Sequence, residues 1–187
     1  MLDPLPQLTI ALSLAVLFAA SAVHKLLAWQ EWPGVVRNYR LVPDGVAGAV
    51  AAALLCAELL AAGALLWTPV RPAAGLAAAA LLVSYAAALW INLKRGRTSI
   101  DCGCFGSRLR QGIAPWMMWR NAVLAALALT LLLPTSARPL SGIEVALAAA
   151  SVVALAFLYP VLAIALRAPP PTFDQNYRSA LRARAGG

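Results

Sequence analysis

The sequence predicts an all-α membrane protein: a four-helix transmembrane bundle with a fifth transmembrane helix. Three observations carry that prediction. Hydrophobic residues make up 62% of the 187 and charged residues only 12%, about half the charged share of a soluble domain. So few polar side chains cannot cover a soluble surface, and lipid must cover it instead. The apolar residues also gather into five runs, each near the ~20 residues that cross a bilayer. Finally, the runs are continuous and lack the alternation of barrel strands, so their backbones are satisfied in lipid as helices.

The first run extends from about Leu8 to Leu27 and closes on "HKLLAW". The opening "MLDPLPQLTI" has no basic region ahead of its apolar part. It is therefore expected to be kept as a helix and not removed as a signal peptide. "WQEWPGVVRNYRLVP" follows; it is too polar to span and is expected to lie along the interface as a short amphipathic piece. The second run covers about Val46 to Trp67, the third Ala73 to Leu93, the fourth Trp116 to Leu133 and the fifth Ile143 to Leu166. Gly45 and prolines 43, 69, 72, 134 and 139 punctuate the junctions. The six tryptophans all fall near run ends, where indoles anchor in the headgroup zone. Residues 1–166 thus form a single transmembrane domain, and residues 167–187, rich in proline and arginine, a basic flexible tail. Runs such as "AAGLAAAALL" suit close helix approach.

The formal charge of +8 would suggest nucleic acid in a soluble chain. Here no basic helix face is interleaved with aromatics. The cations sit between apolar segments, facing anionic lipid, so no nucleic-acid partner is expected. Over five spans, one side holds only Arg71 and Arg138, while the other holds the remaining thirteen of the fifteen Lys and Arg. The positive-inside rule then places the N-terminus outside and the C-terminus inside the cell membrane, with the connection after the third span in the cytoplasm.

That connection reads "TSIDCGCFGSRLRQG" and holds Cys102 and Cys104. Gly103 between them removes a side chain and permits unusual backbone angles. Lys94, Arg95, Arg97, Arg108 and Arg110 surround the pair and favour the reactive thiolate, with Asp101 opposing them. A Cys-x-Cys disulfide closes a small ring of poor geometry, and strained disulfides exchange readily. Spacing alone leaves three readings open: a redox pair, a two-thiolate grip on soft Cu(I) or Zn(II), or inert packing in a tight turn. The third cysteine, Cys56, reads as a small apolar side chain.

Glu58 lies deep in the second span, where a carboxylate is costly and marks a functional candidate. His24, Lys25, Arg120 and Asn121 are the available partners. Counting from the span ends sets Glu58 deeper than any of them, so no pairing is fixed. Cys56, two residues earlier, points about 200° away around the helix. Tyr85 and Asn92 on the third span read as structural hydrogen-bonding residues.

The combination of "SAVHK", "NYRLVP", "CAELLAAG", "LKRGRTSIDCGCFG" and "WRN" resembles the methylamine-utilisation MauE family, relatives of the DoxX-like four-helix bundles. The likeness covers roughly residues 8 to 134, and "DCGCFG" is its most specific part. It implies a membrane partner in thiol–disulfide chemistry, working with a thioredoxin-like protein or a disulfide-containing client. Cys102 and Cys104 would be the redox pair, with Asp101, Gly103 and Phe105 supporting them. His24, Lys25, Glu58, Arg120 and Asn121 would line the bundle interior. No cofactor fingerprint is present, and a quinone is the redox partner the resemblance invites. Maturation of an exported client would place the thiols outside, whereas the charge count places them inside. An inverted topology, electron transfer across the membrane through Cys56, or a cytosolic thiol substrate would each reconcile the two. The alternatives to thiol exchange are soft-metal handling and a non-catalytic membrane subunit of a redox complex.

Overall fold

A computed structural model describes residues 3–97, 113–136 and 138–165, with side chains through residue 158. Among the described residues six α-helices follow in order: α1 Pro4–Leu27, α2 Trp32–Asn38, α3 Ala47–Leu66, α4 Arg71–Lys94, α5 Pro115–Leu129 and α6 Gly142–Ala165. Single 3-10 turns precede α3 and α4, and another, Thr130–Leu132, extends α5. The five expected spans each coincide with a long helix to within a few residues. The chain divides into two compact units, Met1–Val152 and Val153–Gly187. Of the second, the described part is the end of α6.

Helices α1 and α6 begin where side chains satisfy free N–H groups. Asp3 caps α1, its carboxylate accepting from Leu5 N–H at 2.9 Å, and Pro4 opens the first turn. At α6, Ser141 Oγ accepts from Glu144 N–H at 3.3 Å while Glu144 accepts from Ser141 N–H at 2.8 Å. This is a capping box, legible in the sequence as Ser-x-x-Glu. Helix α4 ends on Gly96, whose φ of +69° turns the chain out through a left-handed residue.

Four helical stretches are long and apolar enough to cross a membrane: Pro4–Leu27, Asp44–Leu66, Thr68–Lys94 and Pro115–Leu132. A fifth apolar stretch, Gly142–Leu158, is shorter. The chain is a multi-pass helical membrane protein. In lipid, helices associate through close packing and polar contacts, because acyl tails are as apolar as leucine. The core accordingly mixes a few large residues, Leu14, Phe18, Leu65, Leu82 and Leu131, with many alanines. Helix α4 packs tightly on α5 and its following turn at Gly75, where an added Cβ would sit 2.8 Å from Ala128 O and 2.9 Å from Leu131 Cβ. At the end of the bundle where α1 starts, buried Gln7 donates to Leu133 O at 2.8 Å and accepts from Thr135 at 2.6 Å.

Helix α2 is the departure from a plain up-and-down bundle. It packs on α3 at the end of the bundle where α1 finishes. Trp32 opens it and is buried, its indole N–H donating to Ala51 O at 3.0 Å. The expected interfacial role of the tryptophans therefore fails at Trp32. Trp29, Trp67, Trp90 and Trp119 are exposed, as anchors should be, but Trp32 is a wedge between α2 and α3. Proline at position 33 lets the helix start immediately at this residue.

Candidate functional site

The centre of the bundle holds an ion pair. Lys25 of α1 and Glu58 of α3 are 3% and 1% exposed, and Lys25 Nζ donates to Glu58 Oε1. Two more donors converge on the same oxygen: Ser21 at 3.1 Å and the Tyr85 hydroxyl of α4 at 2.8 Å. Lys25 also donates to Tyr85 OH at 3.2 Å. Its ammonium lies 4.5 Å from the Trp32 ring centre and 4.9 Å from that of Tyr85, both within cation–π range. One carboxylate oxygen thus gathers three donors, while Glu58 Oε2 is buried and has no partner among the described residues.

The pairing resolves the depth mismatch expected from counting. Lys25 is near the end of α1 and Glu58 near the middle of α3, yet their side chains meet. Helix α1 stops below the level where α3 begins, and α2 with its following turn covers the gap. Trp32 is seated against Ala51, within two turns of Glu58. Residue counts from helix ends assume ends at one height, and α2 breaks that assumption.

Above the ion pair lies a cavity of about 210 Å³, walled by α2, α3, α4 and α5. Its walls are largely apolar, from Val35, Val36, Val50, Leu54, Ala88 and Leu89. Lys25, Tyr85, Arg120 and Asn121 supply polar groups. Arg120 holds Asn121 Oδ1 with two N–H groups at 3.0 and 3.3 Å and stacks 5.8 Å from the Trp116 ring centre. Ile113, Met117 and Leu89 form a small apolar cluster beside it. On α4, Asn92 is fully buried and accepts from Arg97 at 3.4 Å.

Of the residues singled out from sequence, Lys25, Arg120 and Asn121 line this cavity, and Glu58 anchors its floor through Lys25. His24 is half-buried and is not part of the cavity lining. Cys56 is exposed on the outer face of α3, while Glu58 is buried, as their angular separation predicts. Asp101, Cys102, Gly103, Cys104 and Phe105 lie outside the described residues. Tyr85, expected as a structural hydrogen-bonding residue, is one, donating to Glu58 and accepting from Lys25; Trp32, expected as a lipid anchor, instead faces Lys25. A clue existed for Tyr85: it is the tyrosine set deepest within a span.

The fold and site define a class: a multi-pass helical membrane protein with a buried acid–base cluster beneath a small cavity. Residues 4–134 match the family described as methylamine utilisation protein MauE, and the chain belongs to that family. It is 45% identical over 131 residues to methylamine utilization protein MauE of Paracoccus denitrificans, covering 70% of each chain. It is 42% identical over 139 residues to that of Paracoccus versutus, covering 73% of this chain and 74% of the relative. With that of Methylophilus methylotrophus it shares 39% over 163 residues, 84% of each chain. No solved structure matches the chain. The matched span contains every residue of the cavity and also the Cys-Gly-Cys segment.

Proposed function

We propose that this chain acts in methylamine utilisation as a membrane-bound thiol–disulfide exchange protein, with Cys102 and Cys104 as its reactive pair. The observation that carries the reading is a juxtaposition. The connection holding both cysteines leaves α4 after Lys94 and re-enters α5 at Pro115. Both points lie at the end of the bundle that carries α2 and the cavity. A redox-capable sequence is therefore attached where a buried acid–base cluster meets a small binding space.

In this reading, a thiolate of the pair attacks a disulfide in a thioredoxin-like partner or client. A sulfur–sulfur bond forms between the proteins as the partner's own bond breaks, and its second sulfur leaves as thiolate. The other cysteine then displaces the remaining partner sulfur. Two electrons pass to the partner, which ends as a dithiol while the pair ends as a disulfide. Run in reverse, the client is oxidised. Asp101, Gly103 and Phe105 shape the pair, and nearby arginines favour the thiolate. Lys25 and Glu58, with Tyr85 between them, hold or move the accompanying protons; in the reverse direction, where the pair ends as a dithiol, a quinone is a fitting acceptor of its two electrons and two protons, returning it to the disulfide. The lopsided Lys and Arg count supports a reading in which the protein lies in the inner membrane with the cysteines on the cytoplasmic side.

The test is trapping. Cys102→Ser and Cys104→Ser single variants, expressed in a methylamine-using host, should differ in the mixed disulfides they accumulate, and the double variant should form none. Unimpaired growth on methylamine by the double variant ends the proposal. Labelling by a membrane-impermeant thiol reagent in intact cells reads the sidedness.

A further inference from the structure

We propose that the cavity beneath α2 holds one acyl chain of an anionic phospholipid, whose phosphate is gripped at the cavity mouth by Arg40 and Arg95. The inference goes beyond thiol exchange and involves neither cysteine.

The interior asks for an apolar occupant. Lys25 is engaged by Glu58, Tyr85 and two ring faces, Asn121 accepts from Arg120, and Ser84 donates to Leu81 O at 2.7 Å. The remaining walls are largely aliphatic. A dry apolar cavity of ~150 Å³ accommodates benzene; at the same volume per carbon, about 210 Å³ takes roughly eight carbons of a chain. Two of the lining residues are exposed, Leu41 after α2 and Ser84 in the middle of α4, so the space is open at both. Lipid surrounds Ser84, because α4 crosses the membrane. From Ser84 to Arg95 the helix rises about 16 Å, close to half of the ~30 Å hydrocarbon thickness. A chain lying between those levels occupies one leaflet, with its headgroup at the arginines.

The mouth is positive. Arg95 Nη1 donates to Arg40 O at 3.3 Å, which sets both arginines beside Leu41. At this end of the bundle exposed Arg37, Arg40, Lys94 and Arg95 outnumber exposed Glu31 and Asp44. Arginine forks match phosphate oxygens, and among the described residues no carboxylate pairs with Arg40 or Arg95. The backbone supplies a separate argument. Arg40 has a φ of 48°, a left-handed conformation that glycine adopts freely and that costs a residue with a Cβ. Glycine would make this turn without strain, so the arginine is there for its side chain.

The experiment is native mass spectrometry of the full chain, delipidated in detergent and titrated with dioleoyl phosphatidylglycerol or dioleoyl phosphatidylcholine. One phosphatidylglycerol should bind about ten-fold or more tighter than phosphatidylcholine, and glycerol phosphate, the headgroup without a chain, should not displace it. Arg40→Gly with Arg95→Gln should bring the two lipids to equal affinity. Arg40→Gly alone should leave the melting temperature of the lipid-free chain unchanged or higher, since glycine relieves the turn. Ala88→Phe, or Val50→Phe from the opposite wall, should abolish tight binding while the helical circular dichroism is kept. Equal affinity for the two lipids, or displacement by glycerol phosphate, overturns the proposal without recourse to the variants. So does a preference that survives loss of both arginines, or tight binding retained by both phenylalanine variants.

Discussion

Two ionic clusters sit near opposite ends of α1, about 33 Å apart by helix rise, and they are built in opposite ways. At the start of the helix, Arg138 bridges Asp3 at 3.1 Å and Glu144 at 2.7 Å. Arg138 and Asp3 there are 44% and 49% exposed. At the other end, Lys25 and Glu58 are all but sealed. Water solvates the first cluster in the unfolded and folded chain alike, so forming it changes little. The second removes two charges from water, and that cost is met only because Ser21, Tyr85 and the Trp32 ring add their own interactions. A bridge left in water contributes little and needs no further partners. A sealed one, under a cavity, is retained at a cost in stability, which points to use.

The largest expected effect breaks the buried cluster on one side only. Lys25→Met leaves Glu58 uncompensated and should destabilise the bundle by about 3–5 kcal/mol. Adding Glu58→Leu should restore much of that loss. Both are read from denaturant unfolding in micelles. If the single variant unfolds like the parent, the cluster has no energetic coupling and the contrast disappears. Tyr85→Phe comes next. It deletes one donor to Glu58 and the acceptor for Lys25, and about 1.5–3 kcal/mol should be lost. The loss should shrink in the Lys25→Met/Glu58→Leu background, as expected of a network.

Smaller effects belong to the exposed cluster. Arg138→Ala should shift the unfolding midpoint only slightly, and less again in high salt. A shift comparable to that of Lys25→Met would erase the distinction between the two ends. The smallest effect is the pH dependence of Asp3. The Leu5 N–H, and then Arg138, hold its carboxyl below the ordinary 3.8. A depressed carboxyl contributes stability above the unfolded value, and that contribution is lost as pH falls through the folded one. The unfolding difference between the parent and Asp3→Asn should therefore be constant near neutrality and close as pH falls below 3.8. A difference that persists in acid would leave capping geometry, not charge, as the role of Asp3.

The same contrast explains what was legible in advance. Both helix starts follow from short patterns, Asp-Pro before α1 and Ser-x-x-Glu before α6, whereas the Asp3–Arg138 bridge spans 135 residues and does not. The buried cluster joins residues 25, 58 and 85, each on a separate helix. Glu58 stood out by its cost in lipid, but its partner did not. Trp32 was misplaced because tryptophan near a span end carries one statistical meaning in a membrane, and only the packing of α2 on α3 gives it another.

Sequence by itself determined that the chain is a helical multi-pass protein and roughly where its four qualifying stretches lie, because crossing a membrane is a property of a run's own length and apolarity, free of any neighbour. It also carried the family motif and the isolation of Glu58. Tertiary structure alone decided that Lys25 reaches Glu58, that Trp32 turns inward, and that a cavity opens above them. Those outcomes depend on how helices distant in sequence pack against one another, among them a seven-residue helix that packs on α3.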